Sequence, residues 1–210
     1  MMFFQSILLC LLAGYFFGGL SGGHIVGKIY HVDVRQHGSG NLGATNVLRT
    51  LGKKAGFITL CIDLGKVVVP ILIVRYLLFP QYPAWSYENQ LLVLYVALGT
   101  VIGHNFPLGL EFRGGKGVAC MAATIILFDI PMAAAVFTVF FLIIAVTRYV
   151  SLASMTVALL FALWVTFITE SGIQMILTVW AFPFLVIFMH RSNIKRLLNG
   201  TENKIGQKKK

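Results

Sequence analysis

The chain has 210 residues, 58% of them hydrophobic and only 11% charged, with a mean hydropathy of +0.84. Soluble domains carry about a quarter charged residues, so this composition excludes one and marks an integral membrane protein. The formal net charge of +10 is not housed in a soluble module with interleaved aromatic and basic residues, which argues against nucleic acid as a partner.

A bilayer core about 30 Å thick needs roughly 20 apolar residues as helix. The first such run covers about residues 3 to 23. It has no basic segment ahead of it and many apolar runs behind it, so it is a retained helix rather than a signal peptide. Gly14, Gly18 and Gly22 recur along it at four-residue spacing, with Gly19 and Gly23 beside them, a stripe that lets helix backbones approach closely. The second run, at about 55 to 78, carries Asp63 and Lys66 at i and i+3 on one face. They can neutralise one another, either as a packing pair or as an ion or proton relay. A third run covers about 90 to 110. The region from Val118 to Thr147 is too long for one helix and is interrupted at Asp129-Ile130-Pro131. Proline disfavours helix in the residue before it, so two spans with a tight turn are expected. Runs at about 150 to 169 and 172 to 189 complete the set.

The expected fold is therefore an all-α polytopic membrane protein, a seven-transmembrane-helix bundle with glycine-rich loops on its cytosolic face. One domain over residues 1–200 precedes a basic cytosolic tail, 201–210. Of the 17 basic residues, all but Lys66 and Arg75 fall on one side of this arrangement. Glu88, Asp129 and Glu170 fall on the other. The positive-inside tendency then places the N-terminus outside and the C-terminus in the cytosol. The lysine-rich end reads as attraction to anionic membrane lipid. Cys10, Cys61 and Cys120 sit in apolar runs with no paired spacing, which suggests neither a disulfide framework nor a zinc site.

The polar segments "RQHGSGNLGATNVLRTLGKK", "GHNFPLGLEFRGGKG", "RYVSLAS" and "HRSNIKRLLNG" all fall on the cytosolic side of this topology. A transporter of phosphorylated solutes, the alternative function, would carry its polar groups near the midplane in two related halves, and no internal repeat is present. A non-catalytic lipid-binding scaffold is a third option. Polar loops gathered at one interface suit chemistry between a water-soluble substrate and a lipid-like one. Glycines bring backbone close to a ligand, and successive amides make concave anion sites. Arg49 and Lys116 add fixed positive charge; Ser39, Asn41, Thr45 and Asn46 add neutral hydrogen-bonding groups. Phosphate is the natural guest.

Two motif matches fail on context. Gly38, Gly40 and Gly43 satisfy GxGxxG, with Asp63 twenty residues beyond, but a dinucleotide fingerprint needs a strand before it and a βαβ unit around it. "RGGKG" lacks the Ser or Thr that follows a P-loop lysine. Asp33, Glu111 and Glu202, the acids on the cytosolic side, are far apart in sequence and form no carboxylate pair for a metal. Histidines 24, 31, 37, 104 and 190 form neither HxxxH nor HExxH, and none precedes an aspartate by five residues. No metal and no cofactor are expected.

In order and spacing, "GSGNLGATNVLRTLGKKAG", "DLGKVVVP", "GHNFPLGLEFRGGKGVA", "RYVSLAS" and "HRSNIKRLLNG" resemble the bacterial acyl-phosphate:glycerol-3-phosphate acyltransferases from about Lys28 to Gly200. Two departures are visible: "GGLSGGHIVGK" lacks the usual proline, and Ser192 replaces an acidic residue after His-Arg. The resemblance implies transfer of a fatty acyl group from acyl phosphate to the 1-hydroxyl of glycerol 3-phosphate, the first step of phospholipid synthesis. It also implies the bacterial inner membrane, a cytosolic-side active site and a functional link to the enzyme that makes acyl phosphate. By motif position Ser39, Arg49 and Lys116 take the phosphate of glycerol 3-phosphate and Asn41 orients its glycerol, with Gly40, Gly115 and Gly117 allowing close approach. The amides around Gly43 and Ala44, with Thr45, Asn46, Ser151, His190 and Asn193, hold acyl phosphate. The family is thought to use the acyl phosphate's own phosphate as base, with His190 and Asn193 donating hydrogen bonds.

Overall fold

The computed structural model describes residues 2–206, so the terminal lysines 208–210 of the expected tail lie outside the described residues. Every regular element among the described residues is helical. The first apolar run folds as α1 (Met2–Gly18) and α2 (Gly22–Ile29). Together they make a 27-residue apolar stretch, Phe3–Ile29, longer than the run expected from hydropathy. The Ser21 hydroxyl accepts the His24 amide at 3.3 Å and restarts the helix after the break, the usual work of an N-cap.

A loop leads to α3 (Ala44–Leu51), which is separated from α4 (Lys53–Ile73) by Gly52 alone, at φ +89°. That left-handed conformation is one glycine adopts without steric cost. A π-helical turn, Val74–Leu78, extends α4. Then come α5 (Tyr87–Asn105), α6 (Val118–Phe128), α7 (Ile130–Thr147), α8 (Val150–Phe167), α9 (Ile173–Met189) and α10 (Arg191–Leu198). The expected break at Asp129 is present: its carboxylate accepts the Met132 amide at 2.6 Å and caps α7.

Five stretches among the described residues are long and apolar enough to cross a bilayer: Phe3–Ile29, Lys53–Leu78, Tyr87–Leu110, Ile130–Thr147 and Val150–Phe167. A sixth is reached if α9 and α10, which meet at a 59° bend, are counted together. The expected seventh, α6, has 11 residues, about 16 Å of helix, and cannot cross by itself.

The chain packs as two compact units divided between Phe128 and Asp129. In the first, α1 lies along α5, and the glycine stripe makes that contact. A Cβ at Gly14 would overlap the Val96 carbonyl oxygen, and one at Gly18 that of Thr100. The partner helix answers in kind, because a Cβ at Gly99 or Gly103 would overlap the carbonyl oxygens of Leu11 or Tyr15. Without a hydrophobic driving force between helices in lipid, such close backbone packing carries the association. Gly99→Ala should therefore lower the melting temperature of the purified protein in neutral detergent, an overpacking loss of about 1–3 kcal/mol. Gly65→Ala in α4, where an added methyl meets nothing within 4 Å, should leave it unchanged or raise it; equal losses at both positions would contradict the packing role.

Candidate active site

The "HGSGNLGATN" loop is folded by one buried side chain. The Asn46 oxygen accepts the Ser39 amide at 2.8 Å, while its nitrogen donates to the carbonyls of His37 (3.0 Å) and Val34 (3.3 Å). Asn46 was expected to contact acyl phosphate. With both its donors committed to backbone and only 2% of it exposed, it is the residue that shapes the loop. Gly38 and Gly40 stand at φ +62° and +70°, turns that other residues enter at a cost. The Asn41 side-chain amide oxygen accepts the Gly43 amide at 2.8 Å, and Gly43 opens α3 with no side-chain cap. The first amides of a helix have no intrahelical partner, so those of Ala44 and Thr45 end the loop as donors. Thr45 and Arg49, one helical turn apart on α3, are both exposed, as are Ser39 and Gly40. Beneath them Val26, Val34, Leu42, Val47 and Ala55 form a small apolar core.

The second glycine segment, Gly114 to Gly117, hangs on the end of α5. The Gly114 amide donates to the Asn105 carbonyl at 3.1 Å and the Gly115 amide to that of His104 at 3.0 Å. A Cβ on Gly114 would overlap the His104 carbonyl oxygen, and one on Gly115 the His104 ring. Gly117 turns at φ +74°. Only glycine fits this approach, which places the half-buried Lys116 at the start of α6.

His104 is itself held from behind. Lys66 Nζ lies 2.7 Å from His104 Nδ1, 3.0 Å from Asp63 Oδ1, and 2.8 and 3.1 Å from the carbonyls of Leu20 and Gly18. An ammonium only donates, so Nδ1 accepts and the ring proton of neutral His104 sits on Nε2. Asp63 Oδ1 also accepts the Gly22 amide at 3.3 Å. The Asp63–Lys66 pair expected at i and i+3 thus exists, 1% and 4% exposed. Its contacts are with helix ends, which favours the packing role over the relay. His104, which sequence reasoning left without a role, is the third member; its neighbours are 38 and 41 residues away in sequence, and no local spacing signals them.

The second unit gathers Ser151, His190 and Asn193. Ser151 lies in the first turn of α8, His190 at the bend between α9 and α10, and Asn193 in α10. The Ser151 hydroxyl and the Asn193 amide both donate to Glu202 Oε1, at 2.9 and 2.7 Å, and Arg196 Nε donates to Oε2 at 2.6 Å. Burial works against the Glu202 charge, but the hydrogen bonds from Asn193, Arg196 and Ser151 outweigh it and hold the carboxyl below the ordinary glutamate range. Residues 201–206, expected to begin a tail, fold back: the Ile205 amide donates to the Arg148 carbonyl at 2.9 Å, and the Arg148 guanidinium donates to the Ile205 carbonyl. His190 Nδ1 faces the Val186 carbonyl at 2.7 Å and must donate to it, so Nε2 is the basic nitrogen of the neutral ring.

Residues 8–200 match the family model described as glycerol-3-phosphate acyltransferase. The chain belongs to this family. Among relatives named glycerol-3-phosphate acyltransferase, the Thermosynechococcus vestitus protein is 41% identical over 207 residues, covering 96% of this chain and 97% of the relative. The Clostridioides difficile protein is 42% identical over 212 residues, covering 98% of each. The fold matches the crystal structure of PlsY, an integral membrane glycerol 3-phosphate acyltransferase, in its glycerol 3-phosphate form, with TM-score 0.84 and 34% identity over 96% of each chain. The lysophosphatidic acid form of PlsY matches with TM-score 0.81 and 33% identity.

In this family member Ser39, Gly40, Asn41, Gly43, Ala44, Thr45, Asn46 and Arg49 share one loop and helix start, and Gly115, Lys116 and Gly117 belong to the same unit. Ser151, His190 and Asn193 belong to the other. Lys66→Met should lower the melting temperature in detergent sharply, by about 3–5 kcal/mol of stability, because it strands Asp63 and the carbonyls at the α1–α2 break. Melting like that of the unsubstituted protein, with activity lost, would return the pair to a relay.

Proposed function

We propose that the chain transfers a fatty acyl group from acyl phosphate to the 1-hydroxyl of sn-glycerol 3-phosphate, giving lysophosphatidic acid and phosphate. Family membership over residues 8–200, together with the likeness to PlsY in its substrate and product forms, carries this reading. The family resemblance makes acyl phosphate the donor; it is a mixed anhydride with a good leaving group, so the protein mainly has to position two anions and neutralise their repulsion. Ser39, Arg49 and Lys116 take the phosphate of glycerol 3-phosphate, and Asn41 orients its glycerol. Around Gly43 and Ala44, the amides of Ala44 and Thr45 at the start of α3 receive the acyl phosphate with the Thr45 hydroxyl; in the second unit Ser151, His190 and Asn193 are the groups assigned to it by motif position. Asn46 acts through the loop it folds.

The glycerol oxygen attacks the acyl carbon, the bond from that carbon to the phosphate oxygen breaks, and the hydroxyl proton passes to the departing phosphate. The membrane arrangement that accompanies this reaction has seven crossings, the N-terminus outside and the C-terminus and site on the cytosolic side of the bacterial inner membrane. The short α6 counts as a crossing when the Gly114–Gly117 segment supplies the remaining depth, the Gly114 and Gly115 amides being satisfied by α5 carbonyls as lipid requires. Supply of the donor links the protein functionally to the enzyme that makes acyl phosphate. A phosphorylated-solute exchanger would be built from two related halves, and the sequence shows no internal repeat.

Purified protein in detergent, given acyl phosphate and labelled glycerol 3-phosphate without nucleotide or added metal, should form lysophosphatidic acid; no product would refute the reading. In that assay Ser39→Ala should raise chiefly the KM for glycerol 3-phosphate and Thr45→Ala that for acyl phosphate, by about tenfold for one lost hydrogen bond to a charged group. Equal rises in both constants would overturn the division.

His190 has a sign to settle. With Nδ1 donating to Val186, Nε2 donates to the leaving phosphate only when the ring is the imidazolium. A donor His190 makes activity fall as pH rises through its ionisation, whereas a base makes it fall as pH drops. The pH-rate profile should show the alkaline fall, absent from His190→Ala; an acid-side fall lost in that variant would make His190 the base.

A further inference from the structure

On the α2 side of the Ser39–Asn46 loop lies a groove of about 390 Å³ that the reaction above does not use. His24 and Lys28 of α2 line it, with His31, Asp33 and Arg35 from the turn that follows and Leu42 from the reaction loop. Asp33 is ionised, but its charge is offset by Arg35. Arg35 grips both carboxylate oxygens, Nε at 3.0 Å from Oδ1 and Nη2 at 3.1 Å from Oδ2, and holds the carboxyl below its ordinary range. With Asp33 and Arg35 cancelling as an ion pair, Lys28 leaves the groove cationic and the two imidazoles add hydrogen-bonding nitrogens.

His31 occupies a position where glycine is the usual residue. Its φ is +55°, its amide donates to the Lys28 carbonyl at 3.1 Å, and the Val32 amide donates to Gly27 at 2.9 Å, the left-handed cap that ends many helices. A side chain is kept at the groove against that backbone cost. Beside the groove on and just past α2, Ile25, Ile29 and Tyr30 are exposed, Ile29 by 65%. Fixed positive charge, imidazoles and adjoining apolar surface match a phosphate that carries acyl chains.

We propose that this groove is a second phosphate site, which takes the headgroup of an anionic phospholipid among His24, Lys28 and His31 while the chains run along Ile25 and Ile29. The occupant bears on the reaction loop. Leu42 contributes to the groove, its carbonyl packs directly against Gly23, and Asn46 is anchored on the Val34 carbonyl at 3.3 Å. The site braces that loop from behind, and its binding does not depend on the acyltransferase reading.

Thermal melting of the purified full chain in neutral detergent tests it, with phosphatidylglycerol, phosphatidylcholine and inorganic phosphate added in separate arms. Phosphatidylglycerol should raise the melting temperature saturably, and the other two should not at the same concentration. Lys28→Gln should raise the half-saturating lipid concentration about fivefold. Lys195→Gln, which removes the same charge from α10, should leave it unchanged. His31→Gly should also weaken the response while raising the melting temperature without lipid, and it carries the comparison if Lys28→Gln does not fold. Equal weakening by Lys28→Gln and Lys195→Gln would reduce the effect to general attraction between charges. A matching response to phosphatidylcholine, or to inorganic phosphate alone, would overturn the lipid site.

Discussion

The buried contact among Asp63, Lys66 and His104 is the constraint on which the first unit depends. Ions in the apolar interior are tolerated only when their hydrogen-bonding capacity is filled, and here the partners that fill it belong to three separate places in the fold. Lys66 ties the carbonyls left over where α1 ends, Asp63 takes the first amide of α2, and His104 receives the remaining ammonium proton at the end of α5. The other side of His104 carries Gly115. One cluster therefore joins a helix break to the segment that presents Lys116, and loss of any member would loosen both.

The two glycine segments illustrate different uses of the same residue. Gly114 and Gly115 are small because carbonyls and a ring occupy the space a side chain would need. Gly38, Gly40 and Gly117 are required by left-handed backbone. In both cases rigid packing, rather than flexibility, turns a glycine-rich sequence into a defined surface, and Asn46 plays for the first loop the part His104 plays for the second. A surface held in this way can receive an anion without rearranging.

In the second unit the acid that sequence reasoning passed over organises the residues it selected. Glu202 draws Ser151, Asn193 and Arg196 onto one carboxylate. A carboxylate held by that many donors fixes their rotamers, so the serine and asparagine are oriented by a residue 51 and nine positions away in sequence.

Hydropathy and proline placement by themselves determined that the protein is a helical membrane protein, broken at Asp129; those are properties of single segments in lipid, where every backbone group must be satisfied locally. Motif order determined the family. The tertiary structure decided what depends on distant partners: that α1 and α2 divide the first run, that α6 is too short to cross alone, that the glycine stripe on α1 is answered by Gly99 and Gly103, and that Asn46 shapes the loop. His104 and Glu202 were illegible for the same reason. Their roles come from hydrogen bonds to residues far along the chain, and a buried polar group advertises its partners only once the helices that carry them have packed.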